Sequence, residues 1–549
     1  MDSAGHRGLS ARPPRRKYWG WGLEGEELGA EELASLAEFV RAQFQLSELV
    51  EIRPPPVDEL ELPRPRLAPP DALAACTTSD TYERACHSYG KSYRDVVRAL
   101  RGWFPHPPDV VAFPRDEAEI ARLLDWCAED EIAAIPYGGG SSVVGGIEPA
   151  VPESFAGAVS IDLRHLDRVL EIDPVSHAAR IQAGVLGPAL EEQLRPSELT
   201  LRHFPQSFEH SSLGGWLATR SGGHYSTVRT RIDDFAESIR MVTPAGPLET
   251  RRLPSSGAGP ALDRLLLGSE GALGIITEVW MRLQERPRHR AGASLRFASF
   301  ADGAAAVREL AQSGLEPASC RLLDPLEGLL SGAGDGVASL LLVAFESAHH
   351  PVEEWLRLGV DCARDRGGEV LPGREGGAAS LRRSFLRMPH VRDALVRLGM
   401  LVETFESAIT WERFEAFHAG VRSATQEALT QAGTRGLVTS RFTHAYPDGP
   451  AVYYTVVAPA TAGAELEQWA SVKEAASQAV LRLGGTITHH HAVGRDHMRW
   501  YERERPELLG SALRSVKQVL DPAGICNPGV LVGGLTPPPS PPPERDVNL

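Results

Sequence analysis

An apolar run from Ile132 to Ile135 leads directly into Pro136-Tyr137-Gly138-Gly139-Gly140-Ser141-Ser142-Val143-Val144-Gly145-Gly146, and no other stretch restricts the fold as strongly. Adjacent glycines after a strand keep the backbone clear of side chains, so successive N–H groups can gather round an anion such as a pyrophosphate. The spacing is not a Rossmann fingerprint. No amphipathic helix follows at once, because Gly145-Gly146 runs into Ile147-Glu148-Pro149. Taken alone, such a loop is more often a plain turn than a phosphate cradle.

The flanking pattern predicts α+β material. Ile120, Leu123, Leu124 and Cys127 fall on one helical face, while Leu170 and Ile172, then Ile181 and Ala183, alternate with polar residues at strand period. After about Arg286 a second unit offers strands near 294–300, 319–323 and 338–345 with helices near 301–312 and 352–366, an order that suggests an antiparallel sheet with helices on one face. Ahead of both, Leu33, Leu36, Ala37, Val40 and Phe44 have helical spacing, and the proline-dense run from Pro54 to Pro70 excludes helix or central strand. A helix packed on its own protein is expected there, with membrane contact the rarer alternative. The predicted division is a helical and extended arm over 1–106, a cofactor domain over 107–286, a cap over 287–500, a return to the first domain over 501–534 and a disordered proline-rich tail over 535–549.

Bulk properties narrow the function. A chain of 549 residues exceeds what one core usually serves, and a net charge of −15 argues against nucleic acid as partner. An anionic substrate must then be held by a few well-placed cations. Six scattered cysteines, Cys76, Cys86, Cys127, Cys320, Cys362 and Cys526, show neither zinc-ribbon spacing nor a disulfide framework. With no apolar span of membrane length and no signal core, an intracellular, cytoplasmic protein is expected, and its composition would suit a bacterial source.

Two further segments give the glycine loop its meaning. Pro205-Gln206-Ser207-Phe208-Glu209-His210-Ser211-Ser212-Leu213-Gly214-Gly215-Trp216 continues to Thr219-Arg220-Ser221-Gly222, and Gly268-Ser269-Glu270-Gly271-Ala272-Leu273-Gly274-Ile275-Ile276 follows downstream. With Leu520-Asp521-Pro522 and Asn527-Pro528-Gly529, they resemble the FAD-binding domain of the vanillyl-alcohol-oxidase class of flavoproteins. The resemblance implies FAD between two α+β subdomains under an α+β cap. The pyrophosphate would lie on Tyr137, Gly138, Gly139, Gly140, Ser141, Ser142 and Val143. Gln206 to Ser212, Thr219 to Gly222 and Glu270 to Ile276 would hold the remainder. Covalent members commonly attach flavin through a histidine in the first loop; none stands there, which implies noncovalent FAD. Gln206 occupies a place where many relatives carry an acid.

From Trp19-Gly20-Trp21-Gly22 to Asp521-Pro522, nearly the whole chain resembles the alkyldihydroxyacetonephosphate synthases, which exchange the acyl chain of an acyl-dihydroxyacetone phosphate for a fatty alcohol. That resemblance implies Tyr453 as general acid/base, His489-His490-His491 as an active-site triplet, Arg321 as a residue needed for activity at the phosphate, and Arg392 as a substrate-binding residue. Each has a plainer alternative: Arg321 salt-bridged in a sheet, Arg392 in a helical pair with Asp393, Tyr453 or Tyr454 in a core, the histidines a chance cluster. An extended triplet would put His489 and His491 on one face and His490 on the other, so a proton relay or phosphate contact suits it better than a metal, and none is expected. The resemblance also implies a homodimer, with peripheral membrane contact allowed by long-chain lipid substrates. No peroxisomal address is expected from Asp546-Val547-Asn548-Leu549. An FAD-dependent D-2-hydroxy-acid dehydrogenase is the alternative activity, but Thr443-His444-Ala445-Tyr446-Pro447-Asp448-Gly449-Pro450 lacks the pattern of those enzymes, a histidine-containing metal motif with an internal Gly-Asp-Gly.

Overall fold

The computed structural model describes residues 15–225, 231–372 and 377–532. The first 14 residues and the proline-rich tail lie outside them.

The cofactor domain is built on two sheets. In the first, Ile132–Tyr137, Gly157–Asp162 and Val110–Ala112 run parallel, and Thr77–Thr78 is added antiparallel at the edge. The parallel strands are buried almost throughout, as strands covered on both faces must be. The glycine loop therefore leaves the carboxyl end of a buried parallel strand, where ligands of such sheets sit. The second sheet is antiparallel, in the order 169–173, 178–182, 275–282, 236–243, 246–249. Leu170 departs from its expected inward alternation: it is exposed, because its strand is an edge with a register shift between Val169 and Glu171.

The cap is a seven-stranded antiparallel sheet, ordered 369–370, 289–297, 339–347, 319–323, 437–445, 450–459, 400–408. The expected strands and helices of this unit all form. Helices Phe300–Gln312, Glu353–Arg364, Phe414–Gln431 and Glu465–Arg482 pack against one face. Alternation then decides what each strand residue does. Phe405 and Tyr454 stack in the helix-covered core, ring centroids 4.9 Å apart, each side chain's burial contributing roughly 1.5–3 kcal/mol. Their neighbours Thr404 and Tyr453 face the opposite side, toward the cofactor domain.

The arm is more integrated than its expected boundary at 106 implies. Helix Ala30–Phe44 packs on the cap, while Thr77–Thr78 joins the first sheet. The intervening helices Thr81–Cys86 and Tyr93–Leu100 bury Tyr82 and Tyr93. Near the C-terminal end of the described residues, Ala134 N–H donates to Ile525 O, and Asn527 N–H donates to Ala134 O, at 2.9 Å each.

Candidate active site

A cavity of about 430 Å3 lies between the cofactor domain and the open face of the cap sheet. One end is the glycine loop. A Cβ on Gly138 would stand 2.1 Å from Ser212 Oγ and one on Gly139 1.8 Å from His210 O, while Gly140 has φ +71°. No side chain fits there. The backbone N–H groups of Gly139 to Val143 donate to no described residue, so a run of donors faces the cavity ready for an anion. That is the donor set a dinucleotide pyrophosphate requires, so the loop fits FAD.

Tyr137, Gly138, Gly139, Gly140, Ser141, Ser142, Val143, Gln206, Ser207, Ser212, Thr219, Ser221, Gly222, Glu270, Gly271, Gly274, Ile275 and Ile276 all line this cavity. The remaining expected cofactor residues do not, for identifiable reasons. Phe208 stacks on Trp216 in the domain core, and Leu273 is buried in the same core. Ser211 Oγ accepts from Trp216 Nε1 at 2.6 Å, and Arg220 pairs with Asp233 at 2.9 Å. Ala272 joins a small cluster with Val493 and Val530. Glu209 and His210 line a second cavity of about 500 Å3 behind the loop. Gln206 Nε2 donates to Phe385 O at 3.3 Å, tying the cofactor domain to helix Gly377–Arg397.

The cap side carries the charge. Arg321 is buried, donates to His224 O at 2.9 Å and lies over the Phe385 ring, with no carboxylate at ion-pair distance among the described residues. Burial pushes its guanidinium down to about 9, which still leaves it charged at neutral pH. Arg392 likewise forms no ion pair among the described residues; it donates to Lys91 O, and its helical neighbour Asp393 accepts from Trp21 N–H at 2.6 Å. In place of the alternative Arg392–Asp393 pair there is a staple on the Trp19–Gly22 element, where a Cβ on Gly20 would meet Asp393 at 2.4 Å. A buried cation, Arg321, and a half-buried one, Arg392, line one cavity and meet no carboxylate at ion-pair distance among the described residues, which forms a site for an anionic group.

Tyr453 lines the cavity between two charged neighbours that sequence reasoning missed. In the sheet register its direct partners are Glu406 on one side and Arg441 on the other. Arg441 is itself paired with Glu327, whose second oxygen accepts from Thr439 Oγ1 at 2.5 Å. Burial raises the Tyr453 phenol, and Arg441 and Thr404 oppose that rise. The only sequence signal for Glu406 and Arg441 is a charged residue inside an apolar strand.

The histidine triplet is not a strand, which corrects the expected alternation. Glu406 gathers the N–H groups of His489, His490 and His491 at 2.5, 3.0 and 2.8 Å, and only a tight bend brings successive N–H groups to one carboxylate. Consequently His490 and His491 both line the cavity, with ring centroids 6.1 and 5.4 Å from that of Tyr453. His489 faces away, 2.9 Å from the Tyr446 hydroxyl and 3.0 Å from His490 Nδ1. His444, His489 and His490 bring ring nitrogens within 4.8 Å of one another. His489 bonds to Tyr446 and His490, while His444 bonds to Thr443 Oγ1 and Gly223 O, so both ring nitrogens of each already meet protein partners.

The apolar walls, which periodicity did not identify, are now visible. Leu36, Phe39, Val40 and Phe44 of the N-terminal helix face Leu329, Leu330, Leu395, Leu437 and Val457 across the cavity. The arm helix thus packs on its own protein and forms part of the site.

Two family models match the chain: an FAD binding domain over residues 108–251, and the C-terminal domain of FAD linked oxidases over residues 286–531. An alkyldihydroxyacetonephosphate synthase from Dictyostelium discoideum is 32% identical, covering 82% of this chain and 78% of its own length. A mitochondrial D-lactate dehydrogenase (cytochrome) from Arabidopsis thaliana is 27% identical over 83% of this chain and 77% of its own. A crystal structure of an alkyldihydroxyacetonephosphate synthase superposes with a TM-score of 0.77 at 27% identity, covering 93% of this chain and 98% of that one.

Proposed function

The chain belongs to the alkyldihydroxyacetonephosphate synthase family, within the vanillyl-alcohol-oxidase class of FAD-linked flavoproteins, and from that premise we propose that it exchanges the acyl group of an acyl-dihydroxyacetone phosphate for a fatty alcohol, releasing a fatty acid and forming alkyl-dihydroxyacetone phosphate. The observation that carries this reading is the joining, in one cavity, of Arg321 and Arg392, which meet no carboxylate at ion-pair distance among the described residues, Tyr453 beside His490 and His491, and a long apolar wall.

Each part has one task. Arg321 and Arg392 hold the phosphate, and their lack of carboxylate partners leaves their full charge for it. The wall formed by Phe39, Val40, Leu437 and Val457 takes the alkyl chain and excludes water. Tyr453 takes and returns the proton at the carbon bearing the exchanging oxygen, with His490 and His491 beside it to pass the proton on. FAD is held noncovalently by the 137–143 loop and the 206–222 and 270–276 segments, and when bound it supplies an electron sink for that carbon. The exchange involves no net oxidation. A homodimer touching the membrane surface from the cytoplasm is the assembly that this reading implies.

Incubating the purified protein with palmitoyl-dihydroxyacetone phosphate and labelled hexadecanol, without an electron acceptor, tests the proposal. Labelled ether product is expected. Absence of product together with bleaching of the flavin by D-2-hydroxy acids would reassign the chain as a dehydrogenase. Against that outcome, Asp448, in the turn between strands 437–445 and 450–459, is exposed and does not line the cavity.

A further inference from the structure

The loop carrying the histidines is gripped by two buried carboxylates from different domains. On the cap strand Met400–Ala408, Glu406 accepts from the N–H groups of His489, His490 and His491 and from Thr488 Oγ1 at 2.7 Å. From the cofactor domain, Glu270 accepts from Val493 N–H at 2.8 Å and Gly494 N–H at 2.7 Å. Between the two grips Ala492 is held at φ +76°, a conformation that side-chain-bearing residues adopt only when their surroundings impose it. The clamp, not the local sequence, therefore sets where the imidazoles lie.

Glu406 is also the direct sheet partner of Tyr453, and its oxygens lie 3.6 Å from His490 Nδ1 and 3.7 Å from His491 Nδ1. We propose that Glu406 is a positioning residue for the exchange reaction: it fixes the His490 and His491 rings beside Tyr453 and faces them with a fixed negative charge. The proposal rests on the exchange reading of the same site.

The electrostatic surroundings make the charge matter. Around the triplet stand Glu406 from the cap strand, Arg321 from strand 319–323, Arg441 and His444 from strand 437–445, Tyr446 from the turn that follows it, and Tyr453. Arg220 and Arg231 face it from the cofactor domain, Lys473 from helix Glu465–Arg482, and His497 from the loop beyond. Burial would raise the Glu406 carboxyl, but the histidines and their N–H groups hold it well below the usual range, so it stays ionised. Burial lowers His490 and His491, and Glu406 is the acid that opposes this. Removing its charge leaves only cations and neutral rings facing them.

The experiment compares wild type, Glu406→Gln and Glu406→Asp, with rates normalised to bound flavin. Glu406→Gln should keep its flavin and its KM for palmitoyl-dihydroxyacetone phosphate. Its kcat should fall roughly 10- to 100-fold, and the acidic limb of its kcat profile should move to lower pH. Glu406→Asp, which keeps the charge at a shorter reach, should restore the acidic limb while recovering only part of the rate. In parallel, diethylpyrocarbonate labelling mapped by mass spectrometry should show His490 and His491 reacting several-fold faster in Glu406→Gln. Unchanged kcat and labelling, or loss of flavin with an unchanged rate per remaining flavin, would overturn the proposal. The labelling needs no turnover, so a wild type without exchange activity refutes the functional reading alone, and unchanged labelling refutes the clamp alone.

Discussion

Arg441 lies over the aromatic face of Tyr453, its guanidinium carbon 3.9 Å from the ring centroid, and the two are also direct partners in the cap sheet. A phenol is a poor proton carrier near neutrality unless a neighbouring cation favours its anion. Arg441 supplies that cation, and Glu327 keeps it from swinging away.

Tyr453→Phe removes one hydroxyl and leaves the ring under Arg441. Ether-product formation should fall by roughly 10^2- to 10^4-fold, with flavin absorbance unchanged. A variant that retains the wild-type rate would take Tyr453 out of proton transfer.

Arg321→Met and Arg392→Met should act on binding of the phosphate. A charge-assisted hydrogen bond contributes about 1.5–3 kcal/mol, so kcat/KM for the phosphate substrate should drop roughly 10- to 100-fold in each. Initial-rate curves against substrate concentration provide the check, and an unchanged kcat/KM would return that arginine to a structural role.

Gly139→Ala places a methyl group 1.8 Å from His210 O, which is backbone and cannot rotate away. The purified variant should be colourless or nearly so. Full flavin occupancy by absorbance would show that the loop lies elsewhere when FAD is bound.

Phe39→Trp or Phe44→Trp should shorten the apolar chamber from its N-terminal helix side. The alcohol chain-length optimum, measured as product yield across C10 to C18 alcohols, should shift to shorter chains, and an unmoved optimum would place the alkyl chain outside this wall.

Asp393 is buried, and burial pushes its carboxyl up to about 6, with Trp21 N–H, Arg392, Lys17 and Lys91 opposing. Between the unfolded value near 4 and this folded value, the native state holds the extra proton, so the contribution of Asp393 to stability declines as pH rises through that window and is flat above it. Asp393→Asn, which can still accept from Trp21 N–H, escapes this decline. The melting temperature of Asp393→Asn minus that of wild type should therefore grow between pH 4 and pH 7, by the equivalent of roughly 2–3 kcal/mol. A difference that is constant with pH would refute it.

The sequence by itself determined the layers and the cofactor end of the site. Strand and helix periods are local properties, and three adjacent glycines after an apolar strand can serve few purposes. Hence Ile132–Tyr137, Ser319–Leu323 and the loop were legible without coordinates. Only the tertiary structure decided the rest. Glu406, Tyr453 and Arg441 are a row across three strands, a hairpin over 437–459 and the distant strand 400–408, and register between strands is set by packing and turns, which no single segment encodes. The bend of His489 to His491 was misjudged for the same reason: its cause is a carboxylate 83 residues upstream. Phe208 and Leu273, which stand among the cofactor residues in sequence, lie in turns whose tertiary position sends them into the core, Phe208 against Trp216.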